Sequence, residues 1–293
     1  MISARSKPLR RPEVAIVVPS IRASVAHLLR DLERQTLAPG RLEVVKDVRP
    51  NGRARNVGVE RCPGAEILVF IDDDARLLDP EALERMLAPL DRDPDLAVSG
   101  AAKVLPPGAT RFERRVAREV PRVVCEAGDA DRESNPLVRG YGFTDVTTTC
   151  CAIRRSWLAR AGGFDERIER GVDTELFWRL RRLGARFVVA GGARVAHPAP
   201  RDLAALLARM HALGAAHAHE AALAPERAIG PALGTRARAC AYLAARALYL
   251  PVNVIVPWSL AHPRVEIDVK PLKALASFAA ALGYARASLE SAS

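Results

Sequence analysis

The sequence predicts an open, mixed but mostly parallel α/β sheet flanked by helices, followed by a helical C-terminal extension. Three observations carry that prediction. Short continuous apolar runs recur between residues 14 and 104 with helical patterns between them, as expected of strands buried on both faces. The run Glu66–Ile71 stops abruptly at Asp72-Asp73-Asp74, which puts three carboxylates at a strand end. Beyond Pro200 the chain turns Ala- and Leu-rich at helical spacing. The expected division is therefore a sheet domain over 1–198, with 1–12 as a flexible tail, and a helical region over 199–293.

Taken in order, Val14–Val18 reads as the first strand and Pro19-Ser20 as its exit loop. Ser24 opens a helix whose apolar side is Leu28, Leu29 and Leu32. The second strand, Leu42–Val48, ends at a basic loop, Arg49-Pro50-Asn51-Gly52-Arg53, ahead of a short helix over Arg55–Arg61. After the third strand, Asp79-Pro80 starts a helix over Glu81–Leu90, and Leu96–Val104 forms the fourth strand. Pro106–Gly142 is polar and poorly periodic, a variable stretch of helix and loop. Thr144–Ile153 returns to a strand pattern, followed by a helix from Ser156 and the turn Gly162-Gly163-Phe164-Asp165. Gly171–Leu183 carries a helical stripe of Leu176, Phe177, Leu180 and Leu183, and Val188–His197 supplies one or two short strands.

In the C-terminal region, Ala239–Leu260 holds one charge, Arg246, and two prolines, Pro251 and Pro257. A bilayer span needs about 20 apolar residues, but prolines and a central arginine argue against a clean span. Arg236, Arg238, Arg264, Lys270 and Lys273 flank the segment, which suits an element lying on an anionic membrane surface. A helical cap on the sheet and a dimer interface are the alternatives. His211, His217 and His219 are spaced by six and two, share no helical face, and read as ordinary packing or surface histidines.

Composition bounds the function. The chain has 293 residues, 49% hydrophobic and 27% charged, which excludes a disordered protein. Forty-four Lys and Arg against 34 Asp and Glu leave a net charge of +10, inviting nucleic acid, an anionic membrane or a phosphorylated small molecule. The basic residues are interspersed with acidic ones and form no aromatic-interleaved stretch, so nucleic acid is set aside. Five cysteines without a CxxC pair read as buried thiols in a reducing, cytoplasmic setting. The adjacent Cys150 and Cys151 face opposite sides of a strand and do not bridge. The apolar run Val14–Val18 is too short for a signal segment.

Three segments carry chemistry. Carboxylates crowded at Asp72, Asp73 and Asp74 repel one another unless a cation or hydrogen-bond donors balance them. That sheet edge is where open α/β folds bind ligands, and hard divalent cations take carboxylate oxygens. A solvated acidic turn is the other reading. Arg53 and Arg55, in a glycine-containing stretch at a helix start, suit a diphosphate or merely a solvated loop. Asp47, at the end of the second strand, is placed to accept hydrogen bonds from a base or ribose. Asp173 sits near a helix start, where it either caps free amides or presents a fixed base to a hydroxyl.

Together and in this order, AIVVPS, the acidic strand end at Asp47, GRARNVG, ILVFIDDD, GGFDE, GVDTELFWRLRRLG and Val195-Ala196-His197 resemble glycosyltransferase family 2 on a GT-A fold. The resemblance covers about Val14 to Pro198. It implies inverting transfer of one sugar from a nucleotide sugar, a UDP-sugar foremost, to a hydroxyl acceptor that is lipid-linked or a glycan. It places Pro19 and Ser20 against the base, Asp47 on the base edge, and Arg53, Arg55 and Asn56 against base or phosphates. Asp72 and Asp73 then approach the nucleotide sugar, Asp72 at the ribose, while Asp74 ligates Mn²⁺ or Mg²⁺ and His197 is a late metal ligand or diphosphate contact. Gly163, Phe164 and Asp165 fall near sugar and acceptor, with Glu175 close by, and Asp173 takes the position of the catalytic base.

Some positions depart from that family. Val172 stands where an acidic residue commonly precedes the base, and Glu175 is a second carboxylate nearby. The first loop reads PSIR without the more usual Asn; with the DDD triplet it is also similar to sugar-nucleotide mutases related to plant reversibly glycosylated proteins. No Gln-x-x-Arg-Trp motif of processive synthases is present. The competing functions are a mutase or nucleotidyltransferase on a related fold, and a non-catalytic basic protein held at a membrane. The expected location is cytoplasmic, at the inner face of the cell membrane; the oligomeric state is not legible.

Overall fold

The computed structural model describes residues 9–22, 24–125, 128–134, 145–223, 230–255 and 270–291. It resolves into two compact units, Met1–Pro107 with Val124–Pro198, and Gly108–Val123 with Ala199–Ser293. The second unit thus takes in a segment from the middle of the chain as well as the C-terminal helices.

The first unit is built on an eight-stranded sheet in the order β2-β1-β3-β7-β5-β8-β4, with β6 also paired to β8. The strands are β1 (Leu9–Ser20), β2 (Leu37–Lys46), β3 (Ile67–Ile71), β4 (Arg76–Leu77), β5 (Leu96–Val104), β6 (Arg132–Glu133), β7 (Cys150–Arg154) and β8 (Arg186–Ala196). β1, β2, β3, β5 and β8 run in one direction, and β7 opposes both of its neighbours, β3 and β5. The helices of this unit are α1 (Ala26–Glu33), α2 (Asn51–Glu60), α3 (Ala82–Arg92), α5 (Arg155–Arg160) and α6 (Val172–Arg182), with α4 (Arg111–Glu119) in the other unit.

Both sheet faces are buried, which is why the strands read as unbroken apolar runs. On one face Val14, Ile16, Val18, Ile67, Val69, Ile71, Cys150 and Ala152 pack with Met86, Leu87 and Leu90 of α3. On the other, Phe70 meets Phe164 edge-on at 5.0 Å, and Phe177 of α6 meets Phe187 of β8 at 5.2 Å. Each such fully buried side chain contributes about 1.5–3 kcal/mol, so the ends of these strands are held on a stiff support.

Several boundaries differ from expectation. Residues 9–12, expected in the flexible tail, extend β1, because Leu9, Arg10 and Arg11 pair with Leu37, Ala38 and Pro39 of β2. β2 therefore begins at Leu37 and passes through Pro39-Gly40. It ends the strand order, where a proline removes no ladder bond. The expected loop over 49–53 is partly helical: α2 starts at Asn51, straight after Pro50. β8 is one strand, with register shifts in its pairing to β5, rather than two. The start of the expected strand at Thr144 lies outside the described residues.

The second unit comprises α4, α7 (Leu203–Leu223), α8 (Arg236–Ile255) and α9 (Pro271–Glu290). Thr110 and Glu113 close a capping box at the start of α4. Its buried Glu119 accepts from the Leu272 amide at 2.8 Å, satisfying a free N–H in the first turn of α9. Ala218, Leu233, Ala239, Tyr284 and Ala285 form the core of these helices. No described helix is long and apolar enough to cross a membrane. The remainder of the expected 239–260 segment, with Pro257 and the flanking Arg264, lies outside the described residues.

Candidate active site

Because β1, β3 and β8 are parallel, their carboxyl ends share one edge of the sheet, and β7, running the other way, starts there. This edge gathers Ser20, Asp72, Asp73, Asp74 and His197. The chain leaving β3 turns back as β4, which pairs Arg76 with Ala196, so Asp74 comes to lie beside His197. Asp74 Oδ1 is 3.2 Å from His197 Nε2. Asp72, Asp74 and His197 offer ligand atoms that all lie within 4.8 Å of one another, and they are the one such group among the described residues. Two carboxylates and an imidazole suit Mn²⁺ or Mg²⁺ better than a thiophilic ion. Asp72 and Asp74 thus converge with His197, while Asp73 between them is taken up by Ser20 and Arg22.

The electrostatics of the cluster separate its members. Asp72 accepts from Arg55 Nη2 at 2.9 Å; burial pushes its pKa up, while Arg55 and His197 pull it down without cancelling the rise. Burial also raises Asp74, but the hydrogen bond and charge of His197, with Arg22, outweigh it and hold that carboxyl at about 2. Asp74 is therefore ionised at neutral pH, the state a metal ligand requires. Asp73 receives Ser20 Oγ at 2.8 Å and Arg22 Nε at 3.0 Å, and Arg22 Nη2 reaches Asp74 Oδ2 at 3.2 Å.

The first-strand side of the edge is completed by Pro19, half-buried, and by Asp47. The Asp47 amide donates to the Ser20 carbonyl at 3.0 Å, and its φ of 58° turns the exposed side chain out of the ladder. The GRARNVG segment behaves differently from expectation. Helical phase sends Arg53 to solvent and buries Arg55 to 1% exposure. Arg55 bonds Asn51 Oδ1, Asp72 and Thr148 Oγ1 and lies over the Phe164 ring at 5.7 Å. Its guanidinium orients Asp72 and has little surface left for a nucleotide.

Asn56 likewise serves the neighbouring loop. Its Nδ2 donates to the Phe164 carbonyl at 2.9 Å and to Glu166 Oε1 at 3.0 Å, while its Oδ1 accepts from the Phe164 amide at 3.0 Å. Gly163 adopts φ 76°, a left-handed conformation open to glycine at little cost. Gly52 donates to the Ile168 carbonyl at 3.0 Å, and a Cβ there would stand 2.0 Å from the Asp165 carbonyl oxygen. Asp165 is held by Arg167 through both carboxylate oxygens, at 2.9 and 2.7 Å. The GGFDE loop is therefore clamped to α2 by backbone-level contacts.

On α6, Asp173 lies in the first turn and is half-buried; its Oδ1 accepts from the Thr174 amide at 2.9 Å. Its charge raises the pKa of Cys151, a thiol that Asp72 raises too, so both carboxylates are felt at one point on β7. Glu175, one residue beyond Thr174, is buried and bound by Arg179 through both oxygens. Arg179 in turn donates to the carbonyls of Ala161 and Gly163. Glu175 thus secures the glycine turn.

The sequence reading missed Arg22, Thr148, Thr149 and Arg179. Arg22 was visible as the departure in PSIR. Thr149, whose carbonyl accepts from the Asp72 amide at 3.1 Å, had no signal beyond its place before Cys150.

A sheet of this topology with an acid–imidazole cluster at its carboxyl edge is that of a GT-A glycosyltransferase. Residues 3–214 match the sequence model of the family described as Glycosyltransferase like family 2, and the chain belongs to that family. The O-antigen biosynthesis protein RfbC of Myxococcus xanthus is 27% identical over 179 residues, an overlap of 57% of this chain. The chain spans 13% of that curated relative's length. The mannosyltransferase PcManGT of Pyrobaculum calidifontis, solved in complex with GDP-Man and Mn²⁺, is similar in fold, with a TM-score of 0.52 and 16% identity over 99% of this chain and 91% of that one.

Proposed function

We propose that this glycosyltransferase moves a single sugar, with inversion at the anomeric carbon, from a nucleoside-diphosphate sugar to a hydroxyl of a glycan or lipid-linked acceptor. The observation that carries the reading is the convergence of Asp72, Asp74 and His197 within 4.8 Å at the carboxyl edge of the sheet. The fold likeness to a mannosyltransferase solved with GDP-Man and Mn²⁺ supports it.

In this reading Asp74 and His197 hold a divalent ion, Mn²⁺ or Mg²⁺, with Asp72 within reach, and the bound ion supplies charge stabilisation to the departing diphosphate. Pro19, Ser20 and Asp47 form the wall that receives the nucleoside, and the exposed Arg53 lies toward its rim. Arg55 keeps Asp72 aimed at the ribose. The clamped loop of Gly163, Phe164 and Asp165 sets the sugar and acceptor side. Asp173 Oδ2 accepts the proton of the acceptor hydroxyl as the new bond forms, while Oδ1 stays on the Thr174 amide. Fixing the reactants in one site contributes several kcal/mol of the barrier reduction, of the order of 7–11 kcal/mol at most. The catalytic part is assigned to 1–198, and the 199–293 helices to attachment at the inner face of the membrane.

The test is a panel of UDP-, GDP- and other nucleotide sugars with Mn²⁺ or Mg²⁺, scored for nucleoside-diphosphate release and for the anomeric configuration of the product. Release that depends on metal and disappears in Asp74→Ala is expected. Products that retain the nucleotide, or retained configuration, would overturn the reading in favour of a mutase, a nucleotidyltransferase or a retaining route.

A further inference from the structure

We infer that Arg22 is an internal counter-cation of the acidic site, which leaves Asp74 when a metal ion enters and then binds a phosphate of the nucleotide donor. The inference rests on the nucleotide-diphosphate reading above and deepens it.

Among the described residues two arginines bond the carboxylates Asp72, Asp73 and Asp74, and they are built differently. Arg55 is buried to 1% exposure and tied to Asn51, Asp72 and Thr148, so it has nowhere to go. The Arg22 side chain is 50% exposed and its guanidinium bonds Asp73 and Asp74, at 3.0 and 3.2 Å. The backbone beneath it is fixed, since the Arg22 amide donates to Ser20 Oγ at 3.1 Å and that hydroxyl donates to Asp73. A fixed root with a solvent-reaching head can swing without unmaking the sheet edge.

The charges give the swing a direction. Asp74 has both oxygens engaged, Oδ1 by His197 and Oδ2 by Arg22. A divalent ion on Asp74 therefore competes with the Arg22 contact at Oδ2, and its two positive charges repel the guanidinium at short range. A diphosphate arriving with the ion restores the balance and offers the planar fork a bidentate partner. Metal alone is thus disfavoured and metal with nucleotide is favoured, so Arg22 couples the two binding events. This assigns a role to the arginine of PSIR, the loop that leaves β1.

Mn²⁺ binding to the whole protein, followed by the EPR signal of the free ion, tests this with and without UDP and with and without GDP. Arg22→Gln is expected to bind Mn²⁺ alone about 3- to 10-fold more tightly than wild type, because a competitor is gone. In the same variant the tightening of Mn²⁺ by nucleotide should shrink by roughly tenfold. Arg22→Lys, with the charge but not the fork, should restore the weak Mn²⁺ binding and only part of the nucleotide effect. A merely structural arginine would not raise metal affinity on removal. Unchanged or weaker Mn²⁺ binding by Arg22→Gln overturns the counter-cation role, and an unchanged nucleotide effect overturns the phosphate role. In both cases wild-type binding of Mn²⁺ with nucleotide leaves the site reading standing. If neither protein binds Mn²⁺ under any of these conditions, the site reading fails and this inference with it.

Discussion

Arg179 grips both carboxylate oxygens of Glu175, at 2.5 and 2.6 Å, one turn away on the same helix. Two acidic residues in the first turn of α6 are thereby given different work. Glu175 is engaged at both oxygens by Arg179, which also donates to the Ala161 and Gly163 carbonyls, while Asp173 accepts from the Thr174 amide. Glu175→Ala should lower stability by about 3 kcal/mol, the usual cost of stripping one partner from a buried pair, measured by urea unfolding, with turnover per folded molecule within a few-fold. Asp173→Asn should do the reverse. Its unfolding midpoint stays close to wild type, since an Asn Oδ1 also accepts from the Thr174 amide, and transfer falls by about 10²–10⁴ while Mn²⁺–nucleotide affinity holds. Near-normal turnover in that variant would remove Asp173 from the role of base.

Gly52 and Asn56 hold one loop from two sides. Gly52→Ala drives a methyl into the Asp165 carbonyl, and neither backbone can retreat while Gly52 remains bonded to Ile168. A loss of about 1–3 kcal/mol is expected. Asn56→Ala removes three hydrogen bonds to Phe164 and Glu166. Both variants should be cut faster by trypsin after Arg167, and cleavage at the wild-type rate would refute the clamp.

His217 sets an acid limit on the second unit. Burial first, and the charge of Arg122 second, lower its pKa from 6.5 to about 4. Between those values the unfolded chain binds the extra proton, so stability is flat above about pH 6.5 and falls as pH drops toward 4. Each unit of such a shift corresponds to about 1.4 kcal/mol when fully expressed, and a half-buried ring should show about 1–3 kcal/mol in total. His217→Leu should flatten that limb in unfolding curves taken from pH 7 to 4; an unchanged limb would assign it elsewhere.

The thiols differ in reach. Burial pushes Cys150 up to about 12 and Cys151 up as well, whereas Cys240 on α8 is exposed, against the expectation of uniformly buried cysteines. Native protein should show one fast-reacting thiol with an aromatic disulfide reagent, and Cys240→Ser should abolish it. Fast reaction persisting in that variant would shift the assignment to the half-buried Cys125.

Much of the sheet was legible because burial on both faces writes itself as unbroken apolar runs. Val14–Val18, Leu68–Ile71 and Leu96–Val104 fall inside their strands for that reason. Boundaries set by partners were not legible: Leu9 joins β1 because Leu37 lies beside it, and Pro39 is tolerated because β2 is an outer strand. In the site, Asp72, Asp74 and His197 lie within 4.8 Å of one another, a convergence that depends on β4 folding back against β8. Arg55 turns inward to Asp72 and Thr148, and Asn56 to Phe164, partners far along the chain that leave no local signal. Thr149 reaches Asp72, and Thr148 reaches Arg55, only through their place just ahead of β7, a long-range pairing that no local pattern encodes.

The opposed direction of β7 has an architectural corollary. Its first residue, Cys150, pairs with Ile71, the last of β3, so Thr149 is delivered beside Asp72 and Thr148 beside Arg55. The ladder from Cys150 to Arg154 is thereby tied, at its first residue, to the same edge that carries the acidic cluster. A slip of β7 by one residue would unseat Asp72 as well as the sheet, so the register of an interior strand and the aim of a candidate metal ligand are one property of the fold.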